Sequence, residues 1–162
     1  MSKADQLAAA LDEFLGVSPD VEAAAVVSAD GLPMASALPP YVEEDRLAAM
    51  SAALLTLGER AAEGLGKGEL AQVFVEGEQG YVVLMSAGPS AVLVTVTAQS
   101  AKAGLVLFEM RKTAAAIESI MDQKAAVAEP ATPAAPEPAP AHQWEAEPAQ
   151  ESSEAESSVS GW

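Results

Sequence analysis

Cysteine is absent from the 162 residues, and the single histidine, His142, lies in the last forty. No disulfide framework, thiolate metal site or cysteine nucleophile is available, and a reducing compartment fits that usage. Up to Gln123 the chain has neither residue. That excludes Ser-His-Asp and Cys-His catalysis there, and nitrogen-ligated zinc. Basic residues are also scarce, 8 Lys/Arg against 24 Asp/Glu, for a net charge of −16. Nucleic acid and anionic lipid bind by phosphate neutralisation, so neither is an expected partner. A basic protein surface suits this field, and so does plain solubilisation of an apolar domain. No apolar run approaches the roughly 18–20 residues of a spanning helix. No basic stretch followed by an apolar run opens the chain. A cytoplasmic location with no direct membrane insertion is the expectation.

What is present divides near Gln123. Residues 1–123 are dense in Leu, Val, Met and Ala and carry a net −10, enough chain for one unstapled core. Residues 124–162 hold six of the eleven prolines and a net −6, mostly as Ala, Pro, Glu and Ser. That composition reads as a disordered acidic tail. Trp144 and Trp162 stand out there as docking anchors, against the simpler reading of a solubilising extension.

The elements follow from periodicity and punctuation. Ser2 and Asp5 have capping-box spacing, and Leu7, Leu11 and Phe14 repeat on one face of a helix from Lys3 to Leu15. Strands are expected at Val21–Ala29 and Leu32–Leu38, joined by Asp30-Gly31. Pro33 places the second at a sheet edge. A long helix follows, from Val42 to Glu63, opened by Glu43, Glu44 and Asp45. Leu47, Met50, Leu54, Leu57 and Ala61 recur on it at alternating spacings of three and four, a coiled-coil-like stripe. Ala48, Ala49, Ala52 and Ala53 flank it and would let another backbone approach, while Leu55 lies on a different face. Three strands then succeed one another at Ala71–Glu76, Tyr81–Ser86 and Ala91–Thr97. Ser100 is placed to cap a final helix to Asp122, with Val106, Met110, Thr113, Ile117 and Ile120 on its stripe and Leu105, Phe108 and Met121 widening it. The expected fold is α/β of the α+β type, α-β-β-α-β-β-β-α, with helices on a five-stranded antiparallel sheet.

Catalytic and ligand motifs are weak. Glu43-Glu44-Asp45 reads as helix-terminus charge and Glu76/Glu78 as a solvated hairpin, so no metal is expected. Gly64-Leu65-Gly66-Lys67-Gly68 lacks the hydroxyl of a phosphate loop and follows a helix instead of a strand. No cofactor is expected. Arg46, Arg60 and Arg111 could act as fingers on a partner's phosphates, but Arg46 and Arg60 suit surface pairs on their own helix. The stripe on the long helix is the stronger signal, and it favours burial against a second protomer in a two-fold pair.

The pieces Ala25-Val26-Val27-Ser28-Ala29-Asp30-Gly31-Leu32-Pro33, Gln72-Val73-Phe74-Val75-Glu76, Gly80-Tyr81-Val82-Val83-Leu84 and Gly104-Leu105-Val106-Leu107-Phe108-Glu109-Met110, in this order, resemble the Roadblock/LC7 domain family. The resemblance covers nearly all of residues 1–123. It implies a scaffold with no catalytic residues, hence no enzyme. It implies homodimers or heterodimers made by central helices and joined edge strands, and engagement of Ras-like small GTPases. The surfaces it transfers are the helix Val42–Glu63 and the strand Ala71–Glu76. The expected interface is therefore Leu47, Met50, Leu54, Leu57, Ala61, Val73 and Val75. The alternatives are a structural or signalling interaction module with a non-GTPase partner, and a small-ligand sensor or enzyme on a similar scaffold.

Overall fold

The computed structural model of the protein describes residues 1–123, so the tail and both of its tryptophans lie outside the described residues. The elements are α1 (Lys3–Val17), β1 (Val21–Ser28), β2 (Pro33–Ala37), α2 (Glu44–Gly64), β3 (Gln72–Gly77), β4 (Gly80–Ser86), β5 (Ala91–Thr97) and α3 (Ala103–Asp122). One sheet runs in the order β2-β1-β5-β4-β3, every neighbouring pair antiparallel. The expected order and sheet are both present. Among the described residues no helix is long and apolar enough to cross a membrane.

Burial explains the strand sequences. β1 and β5 are central and covered on both faces, so their apolar runs are nearly continuous. Alternate residues serve two cores. Ala24, Val26, Val83 and Leu93 meet Leu7, Leu11 and Phe14 of α1 and Met110 and Ile117 of α3. Ala25, Val27, Leu84, Val92 and Val94 meet Leu47, Ala48 and Leu55 of α2 on the opposite face. β2 is an edge, as Pro33 requires, and the β1–β2 register slips between Val26 and Val27, where Pro33 enters the ladder.

Local chemistry sets the helix ends. The Ser2 hydroxyl accepts from the Asp5 N–H at 3.1 Å, and the Ser2 N–H donates to the Asp5 carboxylate at 3.1 Å, completing the capping box. α1 continues past Gly16 to Val17, because Ser18 closes it by donating its N–H to the Leu15 carbonyl. Ser100 does not cap α3: its hydroxyl donates to the Asp20 carboxylate at 3.3 Å, and the N-cap is Lys102, with no side-chain cap bond. Leu105 and Phe108 do not widen the α3 core stripe either, being 59% and 54% exposed. At about 100° per residue they fall on the far side of the helix from Met110 and Ile117.

A candidate partner surface on α2 and β3

α2 has 21 residues, yet among its side chains only Leu47, Ala48, Ser51 and Leu55 are buried, two of them small. The Ser51 hydroxyl turns back to the Leu47 carbonyl at 2.6 Å, which removes its polarity from the interface with the sheet. Small residues at 48 and 51 let the helix lie low. The β1–β2 turn comes equally near: a Cβ on Gly31 would stand 3.1 Å from the Ala52 Cβ, and Gly31 has φ +85°. The close backbone approach expected at Ala48 and Ala52 is thus made within the chain itself. Ala49 and Ala53 remain exposed.

The expected interface residues divide by direction. Leu47 is buried, and Leu54 is half-buried against the α2-side core. Met50 and Leu57 are 48% and 62% exposed, and Ala61 is exposed. At about 100° per residue these five lie on one flank of α2, turning from the sheet toward solvent. That flank faces β3. A Cβ on Gly58, on the same side, would lie 2.9 Å from Val73 and 3.0 Å from Leu70. Val73 is half-buried beneath α2, while Val75 is 41% exposed on an edge strand whose outer side has no neighbouring strand among the described residues. Met50, Leu57, Ala61 and Val75 are therefore left exposed, while Leu47, Leu54 and Val73 belong to the core between α2 and the sheet.

Tyr41 extends this region, Phe74 lies on the opposite face of the sheet, and neither was singled out from sequence. Tyr41 is 75% exposed and shares a shallow hollow of about 320 Å³ with Arg46 and Met50. Phe74 is 41% exposed on the other face of β3 and stacks on Tyr81 at 5.0 Å between ring centroids. Burial pushes the Tyr81 phenol above its usual range. Neither aromatic has a sequence signal, because isolated aromatics serve core and surface alike.

The arginine pairings expected on α2 are not made. The single ion pair among the described residues is Lys112–Glu109 on α3, at 3.2 Å. Exposed arginines on a helix with acidic neighbours gain little from any fixed geometry, which accounts for the difference. Glu44 and Asp45 do occupy the first turn of α2, and Glu44 also accepts a 2.6 Å hydrogen bond from the Ser36 hydroxyl on β2. Nothing in this region gathers a nucleophile, a base and an oxyanion donor. The region is apolar along one flank of α2, with the edge strand β3 beside it.

The comparisons with known proteins match this architecture. The chain is 33% identical over 106 residues to the uncharacterized protein MJ1340 of Methanocaldococcus jannaschii, spanning 65% of this chain and 92% of that one. The structure of MglB from Myxococcus xanthus has a TM-score of 0.69 at 20% identity, over 75% of this chain and 91% of that chain. A structure of MglB with a tetrameric arrangement has a TM-score of 0.67 at 22% identity, over 74% of this chain and 90% of its own. Both share the fold. The family model of the Roadblock/LC7 domain matches residues 4–97, from the first turn of α1 to the end of β5, and the chain therefore belongs to the Roadblock/LC7 domain family.

Proposed function

We propose that the chain is a non-catalytic regulator or scaffold that pairs two-fold with a second copy and docks a Ras-like small GTPase, modulating its nucleotide cycle or its localisation. The observation that carries this reading is the unburied flank of α2, with Met50 and Leu57 about half exposed beside the free edge of β3. A helix with so few buried side chains is stabilised further when a second copy covers that flank. Membership of the Roadblock/LC7 family supports the partner class, and the tetrameric arrangement of an MglB structure supports self-association. In the proposed pair, two β3 edges lie side by side and two α2 helices meet along Met50, Leu54, Leu57 and Ala61. The paired surface would act by reordering the GTPase's own switch loops, without contributing a nucleophile or base.

The test is a pull-down of the cell's small GTPases, each loaded with GDP or a non-hydrolysable GTP analogue, alongside the solution mass of the full chain. A dimer mass and retention of a GTPase in one nucleotide state is the expected result. Retention in no nucleotide state would sink the GTPase reading and leave an interaction module with another partner. A monomer mass at high concentration would sink the two-fold pair.

A further inference from the structure

We propose that the acidic segment around Trp144 docks on the outward face of α3 of its own chain, over Leu105 and Phe108. Both of these side chains are more than half exposed, although α3 already buries Val106, Met110 and Ile117 against the sheet. At about 100° per residue they share one lane along the helix with Lys112, Ala115, Ala116 and Ser119. Those four are exposed as well. The Lys112 Nζ stands 5.8 Å from the centre of the Phe108 ring, so the lane joins an apolar pair to a cation.

Charge selects the occupant. α1 and α2 each carry two more acids than bases, whereas the stretch Lys102–Lys112 has three bases against one acid, Glu109. Glu109 is turned toward α1, its side chain 15% exposed and paired with Lys112 at 3.2 Å. Glu13 of α1 stands on that same side. Lys102 and Arg111 make no ion pair among the described residues. On a domain of net −10 this is a place of unmet positive charge, and its complement is acidic with a large apolar group. His142-Gln143-Trp144-Glu145-Ala146-Glu147 places two glutamates within three residues of an indole. Trp162 has no charged side chain within five residues, so charge favours Trp144 over it. The indole would cover Leu105 and Phe108, its face toward the Lys112 ammonium, with the glutamates toward Lys102 and Arg111.

The tether suits the distance. Asp122 lies about 21 Å along the helix from Phe108. Residues 123–143 separate Asp122 from Trp144. A flexible chain of that length has an r.m.s. span of about 25 Å. Span and tether therefore match, the condition for the highest local concentration, of roughly millimolar order. A contact of only about millimolar affinity is then half formed. α2 lies on the opposite face of the sheet, so this docking leaves its flank open and does not rest on the GTPase reading.

Both tryptophans lie beyond Gln123, so the fluorescence of the full W162F chain reports Trp144 alone. Emission at shorter wavelength than N-acetyl-tryptophanamide, and slower acrylamide quenching, are expected at every protein concentration. L105S/F108S should take the docked fraction from about half to below about one-tenth, since each lost apolar contact weakens docking about tenfold. K102Q/R111Q should weaken it several-fold, as should high salt. All four positions are exposed, so an unchanged Tm is expected in both variants. M50S/L57S, on the other face, should leave the emission unmoved. Trp144 emission equal to that of the free probe overturns the proposal, as does emission that L105S/F108S leaves unmoved. A shift that fades on dilution would assign the contact to a second chain and overturn docking within one chain. A shift lost in M50S/L57S and kept in L105S/F108S would move the contact to α2 and overturn it too.

Discussion

Leu55 and Leu57 lie two residues apart on α2, and replacing each by alanine should have opposite consequences. Leu55 is 9% exposed and packed over the sheet. Removing its side chain leaves a cavity and should cost about 2–5 kcal/mol of protomer stability. For a domain of this size that is a fall in Tm of roughly 10 °C or more. Leu57 is 62% exposed, so its truncation should change protomer stability by no more than about 0.5 kcal/mol. In the two-fold pair, however, the still-exposed part of Leu57 becomes buried. Full burial of a leucine contributes about 1.5–3 kcal/mol, so the remaining portion is worth roughly 1–2 kcal/mol per protomer. Two-fold symmetry doubles it, to about 2–4 kcal/mol, or roughly 30- to 800-fold in the dimer dissociation constant. Sedimentation velocity across a concentration series reads the dissociation constant, and thermal unfolding at low protein concentration reads the protomer. Leu57→Ala with an unchanged dissociation constant would refute the assignment of this flank to the pair. A Leu57→Ala loss of Tm equal to that of Leu55→Ala would refute the separation of the two faces.

Two further perturbations test the fold. Gly80 has φ +143°, and a Cβ there would collide with the carbonyl oxygen of Thr97, so Gly80→Ala should cost at least about 3 kcal/mol and lower the denaturant midpoint sharply. In the capping box, the Ser2 hydroxyl donates to the Asp5 carboxylate at 2.7 Å and, with the Ser2 N–H, holds its pKa below the ordinary 3.8. A depressed folded value means the contribution is complete above the unfolded value and is lost as pH falls through the folded one. Ser2→Ala should raise the Asp5 midpoint in a carboxylate NMR titration and reduce that acid-side dependence; an unmoved midpoint would refute it.

Much of the architecture was legible because local and long-range signals agree. β5 falls at Ala91–Thr97, the span read from sequence, since a fully buried strand is apolar throughout and Gly88-Pro89 punctuates its start. The capping box was equally plain, because its hydrogen bonds are local. The end of α3 near Ser100 was misjudged because the serine hydroxyl reaches Asp20, 80 residues away, and no local rule anticipates that partner. Leu105 and Phe108 were misjudged because hydrophobicity gives a helix a stripe but not its width. On α2 the period was visible, while its direction was not. The sheet accepts Ala48 and Ser51 beneath the helix, so the large residues Met50 and Leu57 are left outward.

The central ladder of the sheet also governs how the chain acquires its fold. β1 pairs with β5 along its length, from Val21 opposite Thr97 to Ser28 opposite Ala91, and its other strand neighbour is the short edge strand β2. Before β5 is available, the long inner edge of the first hairpin has no strand partner, and only α1 and α2 can pack on its faces. A two-stranded ribbon of this kind is barely stable in water. On the ribosome, β1 therefore waits for β5 until roughly seventy residues beyond Ser28 have been made. Closing so large a loop slows folding and lengthens the interval in which apolar strands are open to wrong partners. The strong acidity of residues 1–123 keeps such half-made chains apart, so the charge serves the nascent chain as well as the finished domain.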